Sequence, residues 1–212
     1  MKKPGNAAHA LFAIVVAAVL TEILPVIIGT GTRDFTHVCI VQLAVTFFCQ
    51  AVWPILLKVR RWPVPEGEKK NKPWILPVAA LLGIGAQFAL SFLTEQWISL
   101  MGLEREAFVP MPATAAEWAA AVLILAILPA VAEEWFFRGM VYRGMAEIMP
   151  PFAAAIVATV LFAAAHRSVN AYPAMLIFGA IASLLTVRGG KMRYGIIFHM
   201  CYNLTALLLM AV

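Results

Sequence analysis

Apolar residues in this chain gather into blocks of roughly twenty, separated by short polar stretches. Wound as α-helix, a block of that length matches the ~30 Å hydrocarbon core of a bilayer. The pattern predicts seven membrane-spanning helices, at about 7–28, 35–57, 74–94, 117–139, 151–168, 171–187 and 193–212. Lys58 to Pro73 is rich in proline and charge and reads as a loop. Glu95 to Ala116, with Met101-Gly102-Leu103 and Pro110-Met111-Pro112, is too polar to span and reads as an irregular or interfacial excursion. The expected fold is all-α: a polytopic integral membrane protein with a variable three-helix part in residues 1–116 and a four-helix functional core in 117–212. There is no internal repeat and no low-complexity tract.

Composition agrees with that pattern. The chain is 63% hydrophobic and 13% charged, whereas a soluble domain runs about half apolar and a quarter charged. The net charge of +5 does not point to nucleic acid, because the basic residues collect in loops. With the N-terminus inside, thirteen of the sixteen Lys and Arg fall on inner segments. These are Lys2 and Lys3, the loop from Lys58 to Lys72, Arg138 and Arg143, and Arg188, Lys191 and Arg193, against Arg33, Arg105 and Arg167 outside. The positive-inside rule then predicts a protein of the plasma (inner) membrane with a cytoplasmic N-terminus and an external C-terminus. Trp53, Trp62 and Trp74 flank the basic loop, and Trp97 and Trp118 the outer one, where interfacial tryptophans belong. Met1-Lys2-Lys3 before an apolar run resembles a signal peptide, but 7–28 is long enough to span and no small-residue cleavage site follows, so it is expected to remain as the first span. Cys39, Cys49 and Cys201 lie in apolar segments and suggest neither a disulfide framework nor a Cys-x-x-Cys site.

Against this background the polar residues inside the spans stand out. Glu133, Glu134 and Arg138 fall within six residues, and each such group costs roughly 2.5–3.5 kcal/mol near the bilayer centre. On a helix Glu134 and Arg138 are one turn apart and pair. Glu133 points about 100° away and is left free. One carboxylate is thus neutralised in place and the other is available for chemistry. His166 lies near the end of the fifth span, and His199 and Asn203 share one face of the seventh. Glu22, beside Pro25, reads as a snorkelling or interhelical residue rather than a catalytic one. Met149-Pro150-Pro151 marks a turn, with Glu133 seventeen residues before Pro150 and His166 sixteen after it. An antiparallel hairpin brings both to the same height, about 25 Å from the turn. His199 is eight residues, about 12 Å, from the loop at Lys191. The depths agree if the hairpin projects about 10 Å beyond the bilayer, carrying Arg143 and Glu147 out, and if His166 and Arg167 stop short of the opposite surface.

Glu133-Glu134-x-x-x-Arg138, Phe162-x-x-x-His166 and His199-x-x-x-Asn203 together resemble the three-motif signature of the CPBP family, which comprises type II CAAX prenyl endopeptidases and bacteriocin-processing or self-immunity membrane proteins. The resemblance covers about residues 117–212 and implies a four-helix core around a cavity open to the cytosol. It implies that Glu133 is the general base that activates water and that His166 helps position or polarise it. It further implies that His199 and Asn203 stabilise the oxyanion, with Glu134 and Arg138 as the supporting pair. The chemistry is consistent with those roles. A carboxylate withdrawn from water is a stronger base, and an oxyanion donor is worth roughly 3–4 kcal/mol.

Zinc is the competing mechanism, since two histidines and a glutamate can hold it with one position open. The sequence lacks His-Glu-x-x-His and has no spare carboxylate to act as base, so no cofactor is expected. The expected activity is intramembrane endopeptidase, cutting a lipidated or membrane-anchored peptide near the cytoplasmic face. The bilayer and that substrate are the expected partners, and nucleic acid is not. The rival readings are a non-catalytic immunity or scaffold protein that binds a peptide in the same pocket, and a proton-coupled transporter, which an inverted repeat would signal.

Overall fold

The computed structural model describes residues 5–28, 34–65, 71–105 and 110–211. Lys2, Lys3, Arg33, Lys69 and Lys70, which enter the charge count above, lie outside the described residues. Among the described residues there are seven long helices and no strand: α1 Asn6–Ile28, α2 Phe35–Leu56, α3 Ile75–Met101, α4 Ala115–Met145, α5 Pro151–Ala165, α6 Tyr172–Gly189 and α7 Met192–Leu209. Helices α1 to α4 and α6 are each long and apolar enough to cross a membrane. Helix α5 is shorter, at 15 residues, and α7 carries Arg193, His199 and Asn203 among its apolar residues. The protein is a multi-pass membrane protein.

Helix ends differ from the sequence reading at three places, the first being α4, which runs past residue 139 to Met145. Helix α3 does not stop at Thr94 but continues through the polar residues to Met101, where Gly102 ends it in a left-handed conformation. Its last turns are held from outside: the Trp97 indole donates to the Val169 carbonyl at 3.0 Å, and Glu95 pairs with Arg105. Helix α5 ends at Ala165 rather than 168, because Arg167 takes a left-handed φ of 54°.

Polar contacts sort the helix ends onto two faces. On one face, Glu147 accepts from the Asn6 amide and from the Ala7 N–H at 3.2 Å, placing a carboxylate on the first turn of α1. On the same face the Arg143 guanidinium donates to the Val59 and Trp62 carbonyls, Arg193 donates to Asn71, and the Tyr194 hydroxyl donates to the Lys72 carbonyl at 2.9 Å. On the opposite face Arg167 pairs with Glu22 at 2.7 Å, and the Asn170 amide donates to the Glu104 carbonyl. The first face carries Lys58, Arg60, Arg61, Lys72, Arg143, Arg188, Lys191 and Arg193. The second carries Arg105 and Arg167, so the basic asymmetry read from the sequence is an asymmetry of the folded bundle. Glu22 lies six residues before Ile28, so Arg167 stops about 9 Å short of the end of α1.

Four phenyl rings, one from each of α4 to α7, form the centre of the bundle. Phe137 meets Phe162 edge-on at 5.3 Å, Phe162 stacks on Phe178 at 5.4 Å, and Phe178 leans on Phe198 at 4.9 Å. The amino-terminal helices close onto this centre. Helix α1 presents a buried stripe of Ala7, Ala10, Ala13 and Ala17, the small-residue spacing that lets membrane helices approach closely. Helix α3 packs along α7 so closely that a Cβ at Gly83 would lie 2.3 Å from the Phe198 carbonyl oxygen. Gly83→Val must therefore push α3 off α7, and we expect it to lower unfolding stability in detergent by about 1–3 kcal/mol. An unchanged unfolding midpoint would contradict this contact.

Candidate active site

The site begins on α4, where helical winding changes twice. Pro129 has no N–H to give the preceding turn, and residues 122–127 immediately before it wind as a wider π-helical stretch. A second such stretch, Trp135–Val141, starts directly after the two carboxylates. Glu133, Glu134 and Arg138 are all buried.

Arg138 is engaged on every side. Its guanidinium donates to Glu134 Oε1 at 2.9 Å, to the Gly179 carbonyl at 2.8 Å and to Ser183 Oγ at 3.3 Å, and lies over the Phe162 ring at 4.6 Å. It thereby ties α4 to α5 and α6. The i, i+4 pairing expected of Glu134 and Arg138 is present, with both side chains fully buried. Breaking such a pair from one side is costly, because the remaining charge is stranded away from water.

His199 on α7 lies between the two carboxylates. Its Nδ1 is 3.2 Å from Glu134 Oε1 and its Nε2 is 3.9 Å from Glu133 Oε2. A carboxylate accepts, so the proton on Nδ1 is the one that faces Glu134. The imidazole edge packs on Phe178 at 4.8 Å, which keeps the ring in place. His199 is seven residues from Met192, and Glu133 twelve from Met145, so α4 runs about 8 Å further toward the basic face than α7.

Glu133 is less isolated than helix geometry alone suggested. Gln50 on α2 donates to its Oε1 at 3.3 Å, while its Oε2 is buried without a hydrogen-bond partner. His166 sits exposed at the end of α5, where its Nδ1 donates to the Phe162 carbonyl at 2.9 Å. A carbonyl cannot donate, so in the neutral ring Nε2 carries the lone pair. The Phe137–Phe162 contact lies one turn after Glu133 and one turn before His166, which sets the two at matching heights. Asn203 follows His199 by one turn, and its amide reaches the Ala126 carbonyl at 3.5 Å.

Three residues in the site were not singled out from the sequence. Gln50 is the first, and its signal was a lone amide in the apolar run Phe47 to Val52. Thr186 and Gly195 are the others. A Cβ on Gly195 would lie 2.4 Å from Thr186 Oγ1 and 2.8 Å from Glu134 Oε2. The glycine thus makes room for the carboxylate. Among the described residues no group of three or more His, Cys, Asp and Glu side chains is placed to hold a metal ion. The three cysteines are unpaired.

Residues 115–205, from the start of α4 into α7, match the family model of the type II CAAX prenyl endopeptidase Rce1-like proteins. Over that stretch the chain is similar to the family's domain. It is a family of CAAX-type intramembrane proteases, which are peptide hydrolases acting on membrane-associated substrates. No curated protein and no solved structure matches the chain.

The close approach at Gly195 gives a test of the site's packing. Gly195→Ala must displace the Glu134 carboxylate or the Thr186 hydroxyl, and should cost about 1–3 kcal/mol of unfolding stability. Stability equal to that of the unaltered protein would show that this corner has slack.

Proposed function

We propose that the protein is an intramembrane endopeptidase in which Glu133 activates water without a metal. The observation that carries the reading is the division of the two carboxylates. Each keeps one buried oxygen without a hydrogen-bond partner, but Glu134 Oε1 takes both the Arg138 guanidinium and His199 Nδ1, whereas Glu133 has only the Gln50 amide and its free Oε2 faces His199 Nε2 at 3.9 Å.

The chemistry follows from those contacts. A water beside Glu133 gives a proton to Oε2 as its oxygen bonds to the peptide carbonyl carbon, and the carbonyl π pair moves onto oxygen. His199 Nε2 and the Asn203 amide hold the resulting oxyanion. Donation from Nε2 while Nδ1–H is held by Glu134 requires the imidazolium form. Two carboxylates, one guanidinium and one imidazolium then balance in charge. The 3.5 Å Asn203 contact is weak, so the amide turns to the oxyanion at little cost. His166 Nε2, as a lone-pair acceptor, positions the water through one of its hydrogens. On collapse the proton passes from Glu133 to the amide nitrogen, the C–N bond breaks, and a new carboxyl terminus and a free amine leave.

The substrate in this reading is a lipidated or membrane-anchored peptide. Glu133 is twelve residues, about 18 Å, from the basic end of α4 and eighteen, about 27 Å, from its other end. With the basic face cytoplasmic, as the positive-inside rule assigns it in a plasma (inner) membrane, cleavage falls in the cytoplasmic half.

The test compares peptide termini in membranes from cells making the unaltered protein or Glu133→Gln at equal abundance. Termini that appear only with the former are expected, and their sequences identify the substrate. Identical termini from both would overturn the protease reading in that host and favour a peptide-binding role.

A further inference from the structure

We infer that Gln50, on α2, is a positioning residue for Glu133, so that an amino-terminal helix completes the active site; this rests on Glu133 acting as the base. Glu133 has two carboxylate oxygens, and a general base needs one directed at the water and the other anchored. Gln50 Nε2 donates to Oε1 at 3.3 Å and leaves Oε2 facing His199. An ionised carboxylate only accepts, so the NH₂ end of the amide faces it. The bond persists through turnover: when Oε2 takes the proton, Oε1 is the carbonyl oxygen of the acid and still accepts.

Local structure fits the role. Gln50 belongs to a π-helical stretch, Val45–Ala51, shortly before Pro54, and this stretch packs against the part of α4 that carries Glu133. Such stretches alter side-chain direction and are frequent at functional sites. Gln50 Oε1 is buried without a partner, a costly state for an amide. Gln42, eight residues earlier on the same helix, instead spends its amide on Thr46 Oγ1. The groups that bear on Glu133 are thus Gln50 from α2, His199 from α7, and Glu134 and Arg138 from its own helix. Gln50 also walls a cavity of about 240 Å³ among α1, α2, α4 and α5, with the Glu22–Arg167 pair at its rim. Replacement by methionine keeps that wall filled while removing the amide.

The test is infrared difference spectroscopy on the full-length protein in bilayers. Subtracting the Glu133→Gln spectrum isolates the Glu133 carboxyl stretch. In Gln50→Met that stretch is expected to move in frequency, since an N–H donor is lost. Gln50→Asn, whose amide is withdrawn by one methylene, should move it the same way, and Gln42→Met should leave it in place. Glu133-dependent termini should form roughly a hundredfold more slowly in Gln50→Met, the scale of a misplacement near 1 Å. A Glu133 stretch unmoved in both Gln50 variants overturns the inference. If the unaltered protein yields no Glu133-dependent termini, the protease reading fails, and the position of the stretch still decides whether Gln50 holds Glu133.

Discussion

A buried ion pair sets the terms for this structure. Glu134 and Arg138 have no exposed side-chain surface, yet they lie in a bundle whose outer face is lipid. Two charges there are tolerable only if each satisfies the other and neighbours satisfy the remaining donors. The Gly179 carbonyl, Ser183 and the Phe162 ring do so for the guanidinium, and His199 joins Arg138 on Glu134 Oε1, while Oε2 stays buried without a hydrogen-bond partner. These partners come from α5, α6 and α7. The same contacts that stabilise the pair therefore fix the relative positions of all four carboxy-terminal helices.

The site's chemistry depends on what the pair leaves over. Glu133 is adjacent in sequence but points elsewhere, with the Gln50 amide as its hydrogen-bond donor and His199 Nε2 facing its other oxygen. Phe162 and Phe178 of the phenyl ladder pack on His199 and lower the local dielectric, so its contacts act at greater strength than they would in solvent. Glycine contributes by absence. Gly195 lets α7 approach Glu134, and Gly83 lets α3 press on α7 just behind His199. The amino-terminal helices are thus a second wall of the site, with Gln50 its polar contribution.

How much of this could be read beforehand follows from the range of each interaction. Apolar runs set the seven helices, because bilayer thickness imposes length directly. The Glu134–Arg138 pair was legible because it is local to one turn. The end of α3 was not, because Trp97 and Glu95 are polar residues held by Val169 and Arg105, and neither contact is local. Gln50 was missed for the same reason: its partner is 83 residues away. Glu22 reads as snorkelling or interhelical, and the matched helix depths leave Arg167 short of the opposite surface, but that the two pair is a contact between distant helices. The π-helical stretches had a partial signal in Pro54 and Pro129, each just after one, while the stretch after Glu134 has no proline close behind it.

The account's central claim is a division of labour between neighbouring carboxylates, one structural and one chemical. Unfolding stability in detergent tests it directly across Glu133→Gln, Glu134→Gln, Arg138→Met and the Glu134→Gln, Arg138→Met double variant. The account predicts that Glu133→Gln stays within about 1 kcal/mol of the unaltered protein. Each change to the pair should cost about 3–5 kcal/mol, and the double variant much less than their sum. Equal losses from Glu133→Gln and Glu134→Gln, or strict additivity in the double variant, would contradict it.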